Sequence, residues 1–180
     1  MAVAGTEVRG RILEAIVSKP GIHMRELSRA VVLSLSGVAH HLRVLEEEGS
    51  VVGLSDGYYR RFFASDVVLK PEARRLNDSD RKLLAECRRA PSLAIILSLA
   101  VDGPLTHREI GHRLRKSKGT VSYHLSRLVD AGLVKMGGGS LEGTYQLADS
   151  KRVVSVLVTF AASLRDRLDG FAGLWLALHH

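Results

Sequence analysis

The sequence predicts a mainly α protein with small β-hairpins, an α+β chain made of one unit used twice and a helix at its C-terminal end. The first observation is a repeat. Ser34 to Gly49, S-L-S-G-V-A-H-H-L-R-V-L-E-E-E-G, returns as Ser117 to Gly132, S-K-G-T-V-S-Y-H-L-S-R-L-V-D-A-G, at a constant offset of 83 positions. The second is periodicity: Val38, Leu42 and Leu45, and then Val121, Leu125 and Leu128, recur at helical spacing and give each copy one apolar stripe. The third is punctuation. Ser34 and Ser117 stand where an N-cap oxygen satisfies orphan amides, and Gly49 and Gly132 stand where a left-handed residue ends a helix.

Taken in order, helical spacing begins near Val8, Ile12, Ala15 and Ile16 and stops at Lys19-Pro20-Gly21, because proline disfavours helical geometry in the residue before it. A second helix is predicted over residues 23–31 and a third over residues 36–48. Residues 51–63 then read as a hairpin turning at Ser55-Asp56-Gly57, with Tyr58, Tyr59, Phe62 and Phe63 around Arg60-Arg61. The register expected there sends aromatic rings inward and both arginines outward. Residues 65–80 lose periodicity, and Asp78-Ser79-Asp80 is a cap signal for a helix running to about Arg89. Pro91 starts the first helix of the second copy, which ends at Asp102-Gly103-Pro104; the helices on either side of Pro91 read either as two or as one kinked element. Residues 134–147 form the second hairpin, with Gly137-Gly138-Gly139-Ser140 at its tip. The predicted divisions are 1–68, a connector with a helix over 69–90, 91–149, and an amphipathic helix over 150–180.

His23-Met24-Arg25-Glu26-Leu27 and Thr106-His107-Arg108-Glu109-Ile110 precede the capped helices at the same offset, and a short turn joins each to its capped helix. This is helix-turn-helix grammar, and a hairpin behind it makes a winged helix. The pattern V-x-x-H-L-x-x-L-x-x-x-G followed by an apolar strand resembles the ArsR/MarR-like winged helix-turn-helix transcriptional regulators. Arg11-Ile12-Leu13, the Pro20-Gly21-Ile22-His23 turn and the tandem layout resemble the archaeal-type regulators with two such domains. The resemblance covers roughly residues 8–64 and 91–148. It implies DNA binding and leaves target and effector open.

Composition agrees with a polyanionic partner. The net charge is +7 and the pI about 9.9, which fits nucleic acid or an anionic membrane surface. Each unit, at about 60 residues, is near the lower limit for a self-sufficient core, so contact between units or between chains is expected. Cys87 is the single cysteine, so an intrachain disulfide and a cysteine-cluster zinc site are both excluded, and a reducing, cytoplasmic setting with nucleoid association is expected. The N-terminus lacks signal-peptide character, and no apolar run of about 18 residues predicts a membrane span. In the tail, Val153, Val156, Leu157, Phe160, Leu164, Leu168, Phe171, Leu174, Trp175 and Leu178 form a stripe at three- and four-residue steps. Pairing with a second copy is the expected use of that stripe, giving a homodimer; packing on its own chain or lying on a membrane surface are the alternatives. Gly170 and Gly173 interrupt it, and nothing is built on His179-His180.

The two copies differ where a helix-turn-helix meets DNA. Arg113, Arg115, Lys116 and Lys118 correspond to Ala30, Val32, Leu33 and Leu35. Because cations that neutralise phosphates release condensed counterions, the second unit is the expected principal reader. Its candidate contacts are Arg108, Arg113, Arg115, Lys116, Lys118, Gly119, Thr120, Ser122, Tyr123 and Arg127. In the first unit the candidates are Ser36, Gly37, His40, Arg43 and the wing arginines Arg60 and Arg61, whose bland reading is two solvated strand arginines. Glu46-Glu47-Glu48 should point away from a phosphate backbone.

Other chemistries fit poorly. His40, His41, His107, His112 and His124 raise metal sensing, yet none form an i, i+4 pair around a carboxylate, and His41 and His124 read as structural neighbours of the core. The glycine run lacks the Lys-Ser/Thr of a phosphate-cradling loop, and no nucleophile elbow organises Ser, His and Asp. The chain is therefore expected to be no enzyme and to need no cofactor or metal. The leading reading is a dimeric, sequence-specific regulator binding double-stranded DNA. A low-specificity architectural protein, or a protein-interaction module of the transcription machinery, stands as the alternative.

Overall fold

The computed structural model describes residues 2–57, 59–71 and 73–168. The chain divides into two compact units, Met1–Ala85 and Glu86–His180. Tyr58 and the tail from Asp169 onward, including Phe171, Leu174, Trp175 and Leu178, lie outside the described residues.

Unit 1 runs α1 (Ala2–Ser18), β1 (Ile22–His23), α2 (Met24–Val31), α3 (Leu35–Glu47), β2 (Val51–Ser55), β3 (Arg60–Ala64) and the start of α4 (Asp78–Cys87). Ile12 and Ile16 from α1, Leu27 and Val31 from α2, and Val38, Leu42 and Leu45 from α3 meet in one core with Ile22, Val51 and Phe62. The stripe read from spacing is the one that is buried. Ser34 Oγ accepts from Gly37 N at 3.1 Å, and Gly49 has φ +69°, so the cap and stop of α3 are both built.

Unit 2 repeats the order as α5 (Ala90–Asp102), β4 (Leu105–Thr106), α6 (His107–Leu114), α7 (Lys118–Asp130), β5 (Val134–Met136) and β6 (Thr144–Leu147), then adds α8 (Ser150–Thr159) and α9 (Ala161–Leu168). Ser117 caps α7 by accepting from Thr120 N at 3.3 Å, and Gly132 ends it at φ +70°. A 3-10 turn, Gly139–Leu141, occupies the tip between β5 and β6. The turn of each helix-turn-helix passes through a left-handed residue, Val32 at φ 52° and Arg115 at φ 49°. Neither is glycine, and a β-branched residue is rarely found there. The two turns therefore share a backbone although their side chains share nothing.

Three features depart from expectation. First, the hairpins are three-stranded sheets, ordered β1-β3-β2 and β4-β6-β5, because Ile22 pairs with Phe62 and Leu105 with Tyr145. The extra strands are two residues long, too short for alternation to reveal. Second, β3 is the central strand and is covered on both faces, so Arg61, Phe62, Phe63 and Ala64 are all buried. Arg61 is consequently not on the outside of the wing. Its guanidinium donates to the Asp56 carboxylate and, at 3.0 Å, to Gly21 O. Of the two readings left open around Pro91, the structure has two helices, α4 and α5, divided by Arg89 in an extended conformation at φ −104°, ψ 115°.

The third departure concerns the tail. The described part is two helices that part at Phe160. Ser163 returns both its amide, at 3.0 Å, and its hydroxyl, at 2.9 Å, to Phe160 O, and its own oxygens receive the guanidinium of buried Arg88. Val153, Val156, Leu157 and Leu164 are buried within unit 2, where α8 and α9 lie against α5. The reason is in α5 itself: every residue from Ser92 to Leu99 is buried, so the helix is apolar all round and must be covered on both sides. That part of the expected dimerisation stripe is spent inside its own chain.

Candidate nucleic-acid interface

In α7 the buried positions are Val121, His124, Leu125 and Leu128, which fixes what the opposite face presents. Lys118, Gly119, Ser122 and Tyr123 are exposed, with Thr120 half-buried. A Cβ added at Gly119 would meet nothing within 4 Å, so the first turn of α7 offers open backbone to whatever approaches. Arg115, Lys116 and Lys118 stand exposed across the turn, and Arg108 and Arg113 are exposed on α6. Arg113 also pairs with Asp102 at 3.1 Å, which neutralises part of its charge.

Two candidates are held by partners that the linear sequence does not announce. His107 Nε2 and Ser122 Oγ are hydrogen-bonded at 2.9 Å, linking the N-terminus of α6 to the outward face of α7. The corresponding residues of unit 1 are Met24 and Ala39, which can form no such bond; this paired difference between copies was the available signal. Arg127 turns back from the surface to donate to Glu86 Oε1 at 2.6 Å, with its guanidinium 5.9 Å from the Tyr123 ring centroid. Its counterpart is Val44, so the site at 127 belongs to unit 2 alone. The Glu86 carboxylate raises the Arg127 pKa still further.

Glu86 organises a buried network under α7. It is 4% exposed, receives Arg127, receives Arg89 at 3.4 Å and accepts the Ser92 hydroxyl proton at 3.0 Å. Since a carboxylate only accepts, the Ser92 proton points to Glu86, and the 2.9 Å contact between Ser92 Oγ and His124 Nδ1 is then an Nδ1–H donation. In its neutral form His124 is thereby the tautomer that carries its proton on Nδ1. Burial lowers its pKa, with Arg89 and Arg127 adding to the effect and Glu86 opposing it. Burial likewise lowers the pKa of His41 in unit 1, helped by His40 and Arg9, but the His41 Nδ1 is buried without a hydrogen-bond partner among the described residues.

Unit 1 presents a different face. Ser36, His40 and Arg43 are exposed on α3, with Arg43 3.9 Å from Glu47. Gly37 is half-buried, and a Cβ there would come within 2.9 Å of the Leu33 side chain. Arg60 is exposed but paired with Glu46 at 2.8 Å, while Arg61 is internal. Where unit 2 has cations, unit 1 has Val32, 85% exposed, and Leu35, 42% exposed. Among the described residues no group of three His, Cys, Asp or Glu is arranged to hold a metal ion, and no helix is long and apolar enough to cross a membrane.

Comparison with known proteins adds a family context. Residues 6–76 match a family model described as an N-terminal HTH domain, and residues 93–136 match the bacterial regulatory protein, arsR family. Over 131 residues the chain is 25% identical to an uncharacterized HTH-type transcriptional regulator of Methanocaldococcus jannaschii, an alignment covering 72% of this chain and 30% of that relative. The chain thus spans under a third of that relative's length. A Corynebacterium diphtheriae protein of known crystal structure aligns over 78% of this chain and 26% of its own, at 16% identity and a TM-score of 0.30, too slight a likeness to bear an argument. One matched model thus describes a helix-turn-helix domain and the other a family of regulatory proteins.

The His124 environment makes a stability prediction. Its folded pKa lies below the ordinary 6.5, so between those two values the unfolded chain binds more proton than the folded one. The stabilising contribution of neutral His124 is therefore present above pH 6.5 and is lost as pH falls through that window. Urea midpoints measured from pH 7.5 to 5 should fall more steeply for the native chain than for His124→Gln; parallel profiles would show that the ring carries no such linkage.

Proposed function

We propose that this chain, a tandem winged helix-turn-helix protein of the ArsR-like kind, is a sequence-specific transcriptional regulator that binds double-stranded DNA in the cytoplasm, associated with the nucleoid. The observation that carries the reading is the cluster of exposed Arg115, Lys116 and Lys118 beside the open face of α7 at Gly119, Ser122 and Tyr123. A helix N-terminus flanked by cations suits phosphates, and small or hydroxyl-bearing residues next to it allow close approach to base edges. The designation of the Methanocaldococcus relative as an HTH-type transcriptional regulator supports the same reading. Within unit 2 the 91–149 module is the principal reader, and Arg108 and Arg113 extend its cationic border. Arg127 serves by holding α7 on Glu86 and by its place behind Tyr123, rather than by reaching out alone.

Unit 1 supplies a weaker DNA contact or faces protein. The second of these is favoured by the exposed Val32 and Leu35 at the positions where unit 2 carries Arg115 and Lys118. Such a surface suits a component of the transcription machinery better than a polyanion.

A gel shift across a salt series tests the assignment. Lys116→Ala/Lys118→Ala should weaken binding strongly and flatten the salt dependence by about two units of slope per bound protomer, because about two phosphate contacts are lost from each. Arg43→Ala should change both far less. Equal losses from the two variants would defeat the ranking of the units, and uniform footprinting over unrelated duplexes would favour an architectural protein instead.

The protein acts as a homodimer, which gives the two-fold symmetry of paired half-sites. The pairing is assigned to the C-terminal helix expected over 150–180, in whose sequence the apolar spacing continues through Phe171, Leu174, Trp175 and Leu178. Sedimentation equilibrium should give twice the chain mass for the native protein and the chain mass for Leu174→Asp/Leu178→Asp. A dimer that survives both substitutions would move the interface elsewhere.

A further inference from the structure

Ser122 lies on the exposed face of α7, one helical turn beyond Lys118. A serine hydroxyl carries one proton and two lone pairs and rotates readily, so alone it meets donor and acceptor base edges alike and selects neither. Here the hydroxyl is held. His107, the first residue of α6, brings Nε2 to 2.9 Å from Ser122 Oγ across the turn. That is the ring's one hydrogen bond among the described residues, which leaves Nδ1 for a partner from outside the chain. The capping carboxylate of Glu109 does not compete for the ring, being taken by Thr106 N at 2.7 Å and Thr106 Oγ at 2.8 Å.

The shared fold does not require this pair. Met24 and Ala39 stand at the same places in unit 1, and Met24, like His107, is half-buried. The imidazole and the hydroxyl therefore answer something other than packing. In a helix-turn-helix the first helix crosses the phosphate backbone while the second enters the groove, so a residue at the head of α6 bonded to one on the outer face of α7 spans both kinds of contact. A phosphate oxygen only accepts. It places the ring proton on Nδ1, which in the neutral ring makes Nε2 the acceptor of the Ser122 hydroxyl proton. The Oγ lone pairs then face the groove, where they take an exocyclic amino group, cytosine N4 or adenine N6, and find no match in a carbonyl or ring nitrogen.

Resting on the reading of unit 2 as the DNA reader, we infer that His107 is a positioning residue for sequence selection: it holds Ser122 on one side and a phosphate on the other, so that the hydroxyl picks a base presenting an amino group. Sequence information at this contact thus comes from a side chain that touches no base.

Selection of bound duplexes from a randomised pool, followed by titration of the preferred site with each base pair changed in turn, tests this on the full chain. At one base pair the native chain should show a preference of about fivefold, the worth of one neutral hydrogen bond, that Ser122→Ala abolishes. His107→Met should abolish the same preference and leave those at other base pairs; Met and Ala are the residues unit 1 carries at these places, so both variants suit the fold. The double variant should lose no more than either single one, and His107→Gln, whose amide donates to a phosphate and accepts from Ser122, should restore the preference. Replacing the favoured base by its analogue without the exocyclic amino group should weaken the native chain and leave His107→Met unaffected. Preferences unchanged in His107→Met, losses that add in the double variant, or losses spread evenly over the site would overturn the inference while leaving unit 2 a DNA reader. A native chain that binds every duplex alike would overturn the sequence-specific reading and the inference together.

Discussion

Everything else in each unit depends on the burial of one stripe of a thirteen-residue helix. Val121, Leu125 and Leu128 in α7, like Val38, Leu42 and Leu45 in α3, are each at most 4% exposed. Each such side chain is worth about 1.5–3 kcal/mol when removed from water, so the three together hold the helix at a fixed roll against the core. A helix held by one face cannot hide the other. The polar face is therefore presented as a consequence of packing, and the N-cap serine and left-handed C-terminal glycine set where that presented face begins and ends.

Within that common frame the two copies have diverged on the side that packing leaves alone. Unit 2 keeps cations at the turn and locks its helix from beneath, through Glu86 to Arg127, Arg89 and Ser92 and through Ser92 to His124. A buried carboxylate surrounded by donors is stabilising only while its partners stay in place, so this network ties the roll of α7 to the end of α4 more tightly than apolar contact alone. Unit 1 has no equivalent: Val44 replaces Arg127, and His41 leaves a ring nitrogen without a partner among the described residues. Its outward side carries exposed apolar residues at the turn. One backbone has thus been fitted to two kinds of surface.

The repeat, the caps, the helix stops and the core stripes were legible in the sequence because each rests on local rules acting over a few residues. What escaped rests on contacts between distant residues. The two-residue strands β1 and β4 exist only through pairing with β3 and β6. Arg61 was expected outward together with Arg60, but adjacent strand residues face opposite sides, and in a central strand covered on both faces Arg61 meets Asp56 and Gly21. Glu86 reads in the sequence as one more charge near the end of a helix, and only the fold brings it under Arg127. The α8–α9 tail read as an unpaired amphipathic stretch; the all-round apolarity of α5, plain in L-A-I-I-L-S-L-A, was the clue that it needed a cover. Lys118 and Tyr123 are exposed as their spacing implied, and Arg127 is half-buried, drawn back toward a carboxylate partner that lies inside.

The central claim is that the first turn of α7 lies against a duplex. Cysteine placed at Gly119 and, separately, at Asp130 can carry a short photo-crosslinker, since Cys87 is fully buried with its thiol pushed up to about 12 and so stays unreactive. The two positions are separated by about 16 Å along the helix axis. Irradiation with bound DNA should crosslink the probe at 119 efficiently and the probe at 130 scarcely at all. Equal yields from both positions, or crosslinks from 130 alone, would contradict the account.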